Sequence, residues 1–259
     1  MLPILQRLER LKAELDAPFL DEEAQLRGDV RGLELAVELA HDLRSPLTSI
    51  LFLSETLLRG SSGSINEVQQ RQLGIVYSAA LGLINTASNV IELARGGQQL
   101  HDLEATTFSM AEIFESVRDM VMPIAEEKGL ELRLNHLHPD RRLGYPIPLS
   151  RVLLNLTTNA LKFTDSGWVE LSARPTTRGR VEISVRDTGR GIDEQAMPTL
   201  FQPIRRRGGG RRGYQIAGTG LGLSICRKLV SAMGSELKLE TRANWGTRFY
   251  FELDLPAVP

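Results

Sequence analysis

The sequence predicts a multidomain α+β fold, with a helical hairpin that assembles into a dimeric four-helix bundle and, after it, an α/β sandwich domain. Three patterns carry that expectation. Two long stretches in the first hundred residues repeat apolar side chains at three-four spacing around a Gly-Ser turn. Several later segments alternate apolar and polar residues as strands do. Helices and strands also fall in separate runs, which layers helices over one face of a mixed sheet.

Taken in order, Ile4, Leu8, Leu11 and Leu15 form a short coiled-coil stripe that Pro18 interrupts, so residues 1–25 read as a helical linker. Leu26, Val30, Leu33, Val37 and Ala40 continue as a longer stripe, with Leu47 in phase. Gly60 to Ser64 reads as a turn, and Leu73, Val76, Ala80, Leu83, Ala87, Val90 and Ala94 mark the second helix. A hairpin with one apolar stripe per helix leaves much of each stripe wet, and pairing with a second copy buries it. The alternative is that the helices pack on the C-terminal domain. Gly96-Gly97-Gln98-Gln99 begins the linker, which divides the chain into a hairpin at 26–97 and a second domain at 98–259. Beyond it, helices are expected at Met110–Glu127, Leu149–Phe163 and Leu223–Met233, and a strand at Leu130–Leu134. Trp168–Ala173 should pair with Val181–Val185, and Leu237–Glu240 with Phe249–Leu253.

Composition narrows the chemistry. Lys+Arg 31 against Asp+Glu 32 gives a formal net charge of -1, which argues against nucleic-acid binding driven by bulk charge. The one cysteine, Cys226, excludes an internal disulfide and a cysteine-based metal cluster. No continuous apolar run approaches the roughly 18 residues that span a bilayer, and no signal peptide is visible, so the expectation is a cytoplasmic chain without a membrane segment.

The chemistry-bearing residues fall in two places. In His41-Asp42-Leu43-Arg44-Ser45-Pro46-Leu47-Thr48, a histidine and a carboxylate precede a proline inside a helical pattern. Pro46 removes an N–H and presses on the carbonyl four residues back, that of Asp42, so distortion is expected on the turn carrying His41. A neutral imidazole is a nucleophile near neutral pH, and Asp42 can fix its tautomer or accept its other proton. In the second half, Asn155, Asn159 and Lys162 share one helix face, followed by Phe163. Carboxamide oxygens suit Mg²⁺, the lysine suits phosphate, and the ring offers a plane to a base. Asp187-Thr188-Gly189-Arg190-Gly191 ends a strand, where a carboxylate can accept from an exocyclic amine and glycines admit a close turn. Gly218-Thr219-Gly220-Leu221-Gly222 opens into a helix whose N-terminal N–H groups suit phosphate.

The first segment resembles the H-box of sensor histidine kinases. The second set, in the order Asn-rich helix, Asp-Gly segment, Phe201-x-Pro203 and Gly-rich segment, resembles their Bergerat-type ATP-binding domain. That resemblance implies an ATP- and Mg²⁺-dependent protein-histidine kinase of a two-component system. It implies His41 as phosphoacceptor, Asn159 as the Mg²⁺ ligand, Asn155 beside it and Lys162 on phosphate. It also implies a response regulator receiver domain in a separate chain as partner, with a sensor segment in a longer parent or a partner. The loop Arg205-Arg206-Arg207-Gly208-Gly209-Gly210-Arg211-Arg212 is the candidate lid over the triphosphate, its arginines placed to meet charge at the γ-phosphate. Departures from the family pattern are Ser45 where many relatives carry Thr or Asn for dephosphorylation, Ile204 in place of an aromatic, and Tyr145 in place of an Asp. Asn155 stands where hydrolytic relatives of the fold hold a glutamate base, so the phosphoryl acceptor must come from elsewhere. Two other readings remain open at this point: a non-catalytic ATP-binding interaction module, and a regulator phosphatase working through Ser45.

Overall fold

A computed structural model describes residues 22–94, 104–176, 179–201, 221–243 and 245–258, with side chains described from 35 to 91 in the hairpin. The expected linker at 1–25 (apart from its last four residues), the Gly96–Gln99 connection, the arginine loop, and Gly218, Thr219 and Gly220 lie outside those residues.

Helix α1 spans Glu22–Leu58 and contains Pro46 without ending there. The expected distortion does not interrupt the helix, and Pro46 is exposed. The hydroxyls of Thr48 and Ser49 donate to the carbonyls of Arg44 and Ser45 at 2.8 and 3.2 Å, so the turn beyond His41 is tied back to itself. The predicted turn follows, with Gly60 and Gly63 at φ 72° and 119°, values an L side chain rarely adopts. Helix α2, Glu67–Ala94, starts on a capping box. Asn66 Oδ1 accepts from the Gln69 N–H and Gln69 Oε1 accepts from the Asn66 N–H, both at 2.9 Å.

The second domain opens with strand β1, Thr106–Ser109, and helix α3, Met110–Lys128, whose cap Ser109 accepts from the Glu112 N–H at 3.0 Å. Then come β2 (Glu131–Asn135), β3 (Arg141–Gly144), α4 (Pro146–Phe163), β4 (Trp168–Pro175) and β5 (Val181–Asp187). A 3₁₀ segment at Glu194–Thr199, α5 (Gly222–Ala232), β6 (Lys238–Arg242) and β7 (Gly246–Leu253) complete it. The main sheet has the order β2-β4-β5-β7-β6, with β2 parallel to β4 and the other pairs antiparallel. Both expected hairpins form, and the three expected helices form within a few residues of their predicted limits.

One core joins helices to sheet. Val169, Leu171, Ile183, Val185, Phe251 and Leu253 from the strands meet Phe114, Val117, Val121, Leu153, Leu156, Ile225, Cys226 and Leu229 from the helices. The opposite sheet face is polar, with Glu182 held between Arg174 and Arg248. The β1–β3 ribbon was not expected, because Arg141-Arg142-Leu143-Gly144 lacks an apolar alternation. Arg142 is nevertheless buried, its guanidinium donating to the carbonyls of Pro139 and Leu255 at 3.0 and 3.1 Å.

The hairpin does pack on this domain, the arrangement weighed above as the alternative. Tyr77 and Leu81 belong to its core, and Tyr77 donates to the Met120 carbonyl at 2.9 Å. Burial, then the negative charge of Glu55, push the Tyr77 phenol up to about 12. By length and composition alone, α2 is apolar enough over Glu67–Ile91 to cross a membrane, although polar residues interrupt every continuous run in it. Its apolar side chains are divided between α1, the core of the second domain and the surface.

Candidate active site

The site is assembled on α4, the end of β5, the β6–β7 turn and the start of α5. Strand β5 pairs with β7 so that Arg186 faces Arg248, which sets Asp187 against Thr247 at the sheet's end. Asp187 is 6% exposed, and its Oδ1 accepts from the Gly189 N–H at 2.8 Å and the Thr247 N–H at 3.2 Å. Burial raises its pKa above the ordinary carboxylate value, and these two backbone donors oppose that rise. One carboxylate oxygen is thereby fixed by backbone, and the other is left to accept from a ligand amine.

Glycines fix how closely the chain passes this carboxylate. A Cβ on Gly189 would sit 2.4 Å from the Phe163 carbonyl, and one on Gly246 would sit 1.9 Å from the Asp187 carbonyl. Gly191 has φ 73° and lies against the Arg242 carbonyl. Phe163, 41% exposed, presents its ring beside this turn, with the Lys162 ammonium 5.3 Å and the Arg190 guanidinium 5.1 Å from its centroid. The C-terminus of α4 is held there by Lys128, whose Nζ donates to the carbonyls of Leu161 and Thr164, both at 2.6 Å.

At the other end lies the start of α5. Leu221 is its N-cap and offers no side-chain cap, so among the described residues no side chain caps the N–H groups of the first turn, which suit an anion. A Cβ placed on Gly222 would be 3.7 Å from Asn155 Oδ1, 3.9 Å from Asn159 Nδ2 and 3.9 Å from Asn89 Nδ2. Two α4 carboxamides and one from α2 therefore converge on the α5 N-terminus. Asn155 also hydrogen-bonds the Cys226 thiol, which burial pushes up to about 12. Cys226 is thus packing rather than chemistry.

The structure gathers Asp187, Gly189, Gly191, Lys162 and Phe163 at one end and Asn155, Asn159, Leu221 and Gly222 at the other. It leaves His41, Asp42 and Ser45 on the exposed side of α1. At that level Ala40 packs with Ala87 and Ile91 of α2, and Arg44 reaches the Ser88 hydroxyl at 3.5 Å. The sequence reading missed Thr247, Gly246 and Asn89. Thr247 reaches Asp187 through the β5–β7 pairing, which joins the two predicted hairpins and was not itself expected, and no local signal marks Asn89.

These features fit an adenine nucleotide. They comprise a pinned buried carboxylate with a free acceptor oxygen, an exposed ring beside cations, and an open helix N-terminus faced by carboxamides. Among the described residues no group of three His, Cys, Asp or Glu side chains could hold a metal. A Mg²⁺ ion at the phosphates would therefore rely on few protein ligands, as is usual for it.

This is the architecture of a phosphoacceptor hairpin joined to a nucleotide-binding domain. Residues 33–99 match the His Kinase A (phospho-acceptor) domain, and residues 144–257 match the histidine kinase-, DNA gyrase B- and HSP90-like ATPase domain. The chain is 33% identical over 256 residues to the sensor histidine kinase AruS of Pseudomonas aeruginosa, covering 96% of this chain and 25% of that protein. It is 30% identical over 264 residues to the signal transduction histidine-protein kinase BarA of Escherichia coli K12, covering 98% of this chain and 28% of that one. The crystal structure of full-length ShkA in complex with AMPPNP superposes with a TM-score of 0.59 at 27% identity, over 87% of this chain and 46% of that chain. The chain thus spans about a quarter of the length of these curated relatives. It belongs to the histidine kinases and carries their catalytic core.

Proposed function

We propose that this chain is the catalytic core of a two-component sensor kinase that phosphorylates His41 from Mg·ATP. The phosphoryl group then passes to an aspartate of a response regulator receiver domain in a separate chain. The observation that carries the reading is the chemistry beside the α5 N-terminus. Asn155 and Asn159 face it with carboxamides, which have no basic site to take a proton from water. Hydrolysis by that route is disfavoured, and the exposed His41 supplies an acceptor.

In the transfer, a His41 ring nitrogen donates its lone pair to the γ-phosphorus and the bond to the ADP oxygen breaks. ADP leaves with that electron pair. Asp42 orients the ring and takes the proton that the second nitrogen sheds. Asn159 would hold Mg²⁺, which would supply positive charge to the phosphates. Asp187 accepts from the adenine amine, Phe163 flanks the base, Asn155 serves the phosphates, and Lys162 is assigned to reach them from its place beside the Phe163 ring. Gly189 and Gly191 shape the base end. Gly218, Thr219, Gly220, Leu221 and Gly222 are assigned to phosphate binding. Arg205, Arg206, Arg207 and Arg211 are assigned to the lid role. Ser45, exposed one turn beyond His41, is the hydroxyl placed to direct water at a phosphorylated regulator.

The working unit is a homodimer, organised as a linker over 1–25, a hairpin over 26–97 and an ATP-binding domain over 98–259. On α1, Leu43, Ile50 and Leu57 are exposed at seven-residue intervals, and on α2 Val76 and Leu83 repeat that interval. A second hairpin buries these residues, each worth about 1.5–3 kcal/mol when fully covered. The reaction is assigned to the cytoplasm, with input from a sensor segment of a longer chain or a partner.

Incubation with γ-labelled ATP and Mg²⁺ tests the reading. Acid-labile, base-stable label should appear on the wild type and be absent from His41→Gln. Nucleotide binding with no label on either protein would make the chain a binding module.

A further inference from the structure

Asn89 is 7% exposed as a residue, and its carboxamide forms no hydrogen bond among the described residues. Its polar atoms are not among those sealed from solvent without a partner, so the carboxamide keeps an opening through which a ligand can reach it. The side chain points at the α5 N-terminus, its Nδ2 3.9 Å from the position a Cβ on Gly222 would take. Asn155 and Asn159, which belong to the other domain, converge on the same point. Asn89 lies on the hairpin, one residue from Ser88, which Arg44 contacts, and two from Ala87, which packs with Ala40. Ala40 directly precedes His41 in the chain. The helix that backs the phosphoacceptor therefore extends a donor into the phosphate end of the nucleotide site.

We propose that Asn89 is a positioning residue for phosphotransfer, donating from its carboxamide to the terminal phosphate of the bound nucleotide. This rests on the ATP-binding reading of the site and adds a contact from the hairpin. The contact reads the third phosphate and registers the ATP-binding domain against the hairpin at the level of His41. Because the donor belongs to the hairpin, a triphosphate draws the two domains together and a diphosphate does not.

The test titrates the full chain with Mg·AMP-PNP and with Mg·ADP by calorimetry, for wild type, Asn89→Ala and Asn89→Leu. Thermal unfolding of each protein without nucleotide is followed alongside. Both variants should bind AMP-PNP about tenfold more weakly, the scale of one hydrogen bond to a charged group, and ADP within about twofold of wild type. Asn89→Leu should melt no lower than wild type without nucleotide, since the amide makes no hydrogen bond that the substitution would break, which a purely structural asparagine would not allow. Hydrogen exchange of α2 around residue 89 should slow with AMP-PNP in the wild type alone. Equal loss for both nucleotides, or none, in a wild type that binds both would overturn the role of Asn89 and leave the ATP site standing. A wild type that binds neither nucleotide would overturn both.

Discussion

The hairpin and the ATP-binding domain bury their apolar residues in different ways. In the ATP-binding domain, three helices and a five-stranded sheet close on one core in which Phe114, Leu153, Leu171, Ile183 and Phe251 are all under 2% exposed. In the hairpin, Phe52, Leu53 and Leu83 stay 65, 59 and 53% exposed, and the interior at the level of His41 is built from Ala40, Ala87 and Ile91. One domain is complete within a single chain. The other offers one face to its own ATP-binding domain, through Tyr77 and Leu81, and leaves a second face exposed, the one the proposed dimer would bury. The contrast suits the proposed work, since a nucleotide site needs a rigid frame and a phosphoacceptor needs surfaces that exchange partners.

The sharpest way to break that comparison is Tyr77. Tyr77→Ala removes the largest side chain that the hairpin places in the second domain's core and should cost about 3–5 kcal/mol in thermal or denaturant unfolding. Tyr77→Phe removes only the hydrogen bond to the Met120 carbonyl and should cost about 1 kcal/mol. The folded-state pKa of Tyr77 lies above its unfolded value of 10.0, at about 12. Its contribution is therefore full below pH 10 and is lost as pH rises toward 12. Tyr77→Phe should flatten the stability profile over that window. An unchanged profile would show that Tyr77 does not join the two domains.

The hairpin's other face is tested next. Leu53→Glu with Leu83→Glu should shift sedimentation from dimer to monomer while the unliganded ATP-binding domain keeps its nucleotide affinity. A monomeric wild type, or a variant that remains dimeric, would remove this face from the assembly.

Asp187 gives a smaller effect with opposite signs for stability and binding. Its pKa is raised in the folded state, so the folded form holds its proton more tightly. That contribution is present below the unfolded pKa and is lost as pH rises through the folded one, which leaves the wild type at neutral pH carrying a buried charge. Asp187→Asn should therefore melt no lower than wild type at neutral pH. Its adenine-nucleotide binding should weaken by about 1.5–3 kcal/mol, the scale of a hydrogen bond to a charged group. Wild-type binding should also weaken as pH falls and Asp187 takes up its proton. Loss of stability without loss of binding would make Asp187 a structural residue.

The same contrast explains what was legible in the sequence. Strands and helices of the ATP-binding domain follow from alternation and three-four spacing because each packs one face on one core. The α2 stripe was read correctly as helical but not as two surfaces: Ala80 and Ala87 are buried while Val76 and Leu83 are exposed. Tyr77 and Leu81, an i,i+4 pair on an adjoining face, lay outside the stripe because their partners come from α3, far along the chain. In the site, Asn155, Asn159, Lys162, Phe163, Asp187, Gly189 and Gly191 were legible because each motif is local and their order is informative. Thr247 and Asn89 were not, because each enters through a tertiary contact, one by strand register and the other by docking of the hairpin. Arg142, of a residue type ordinarily exposed, is buried because two backbone carbonyls satisfy it.

Locating the phosphate decides whether His41 is the phosphoacceptor. The wild-type chain would be incubated with Mg·ATP, digested at alkaline pH to preserve a phosphoramidate, and its phosphopeptide mapped by mass spectrometry. One modified peptide is expected, with phosphorus on the imidazole of His41, and none from Asn159→Ala treated alike. Phosphate on a serine or threonine hydroxyl, or an undiminished yield from Asn159→Ala, would contradict it.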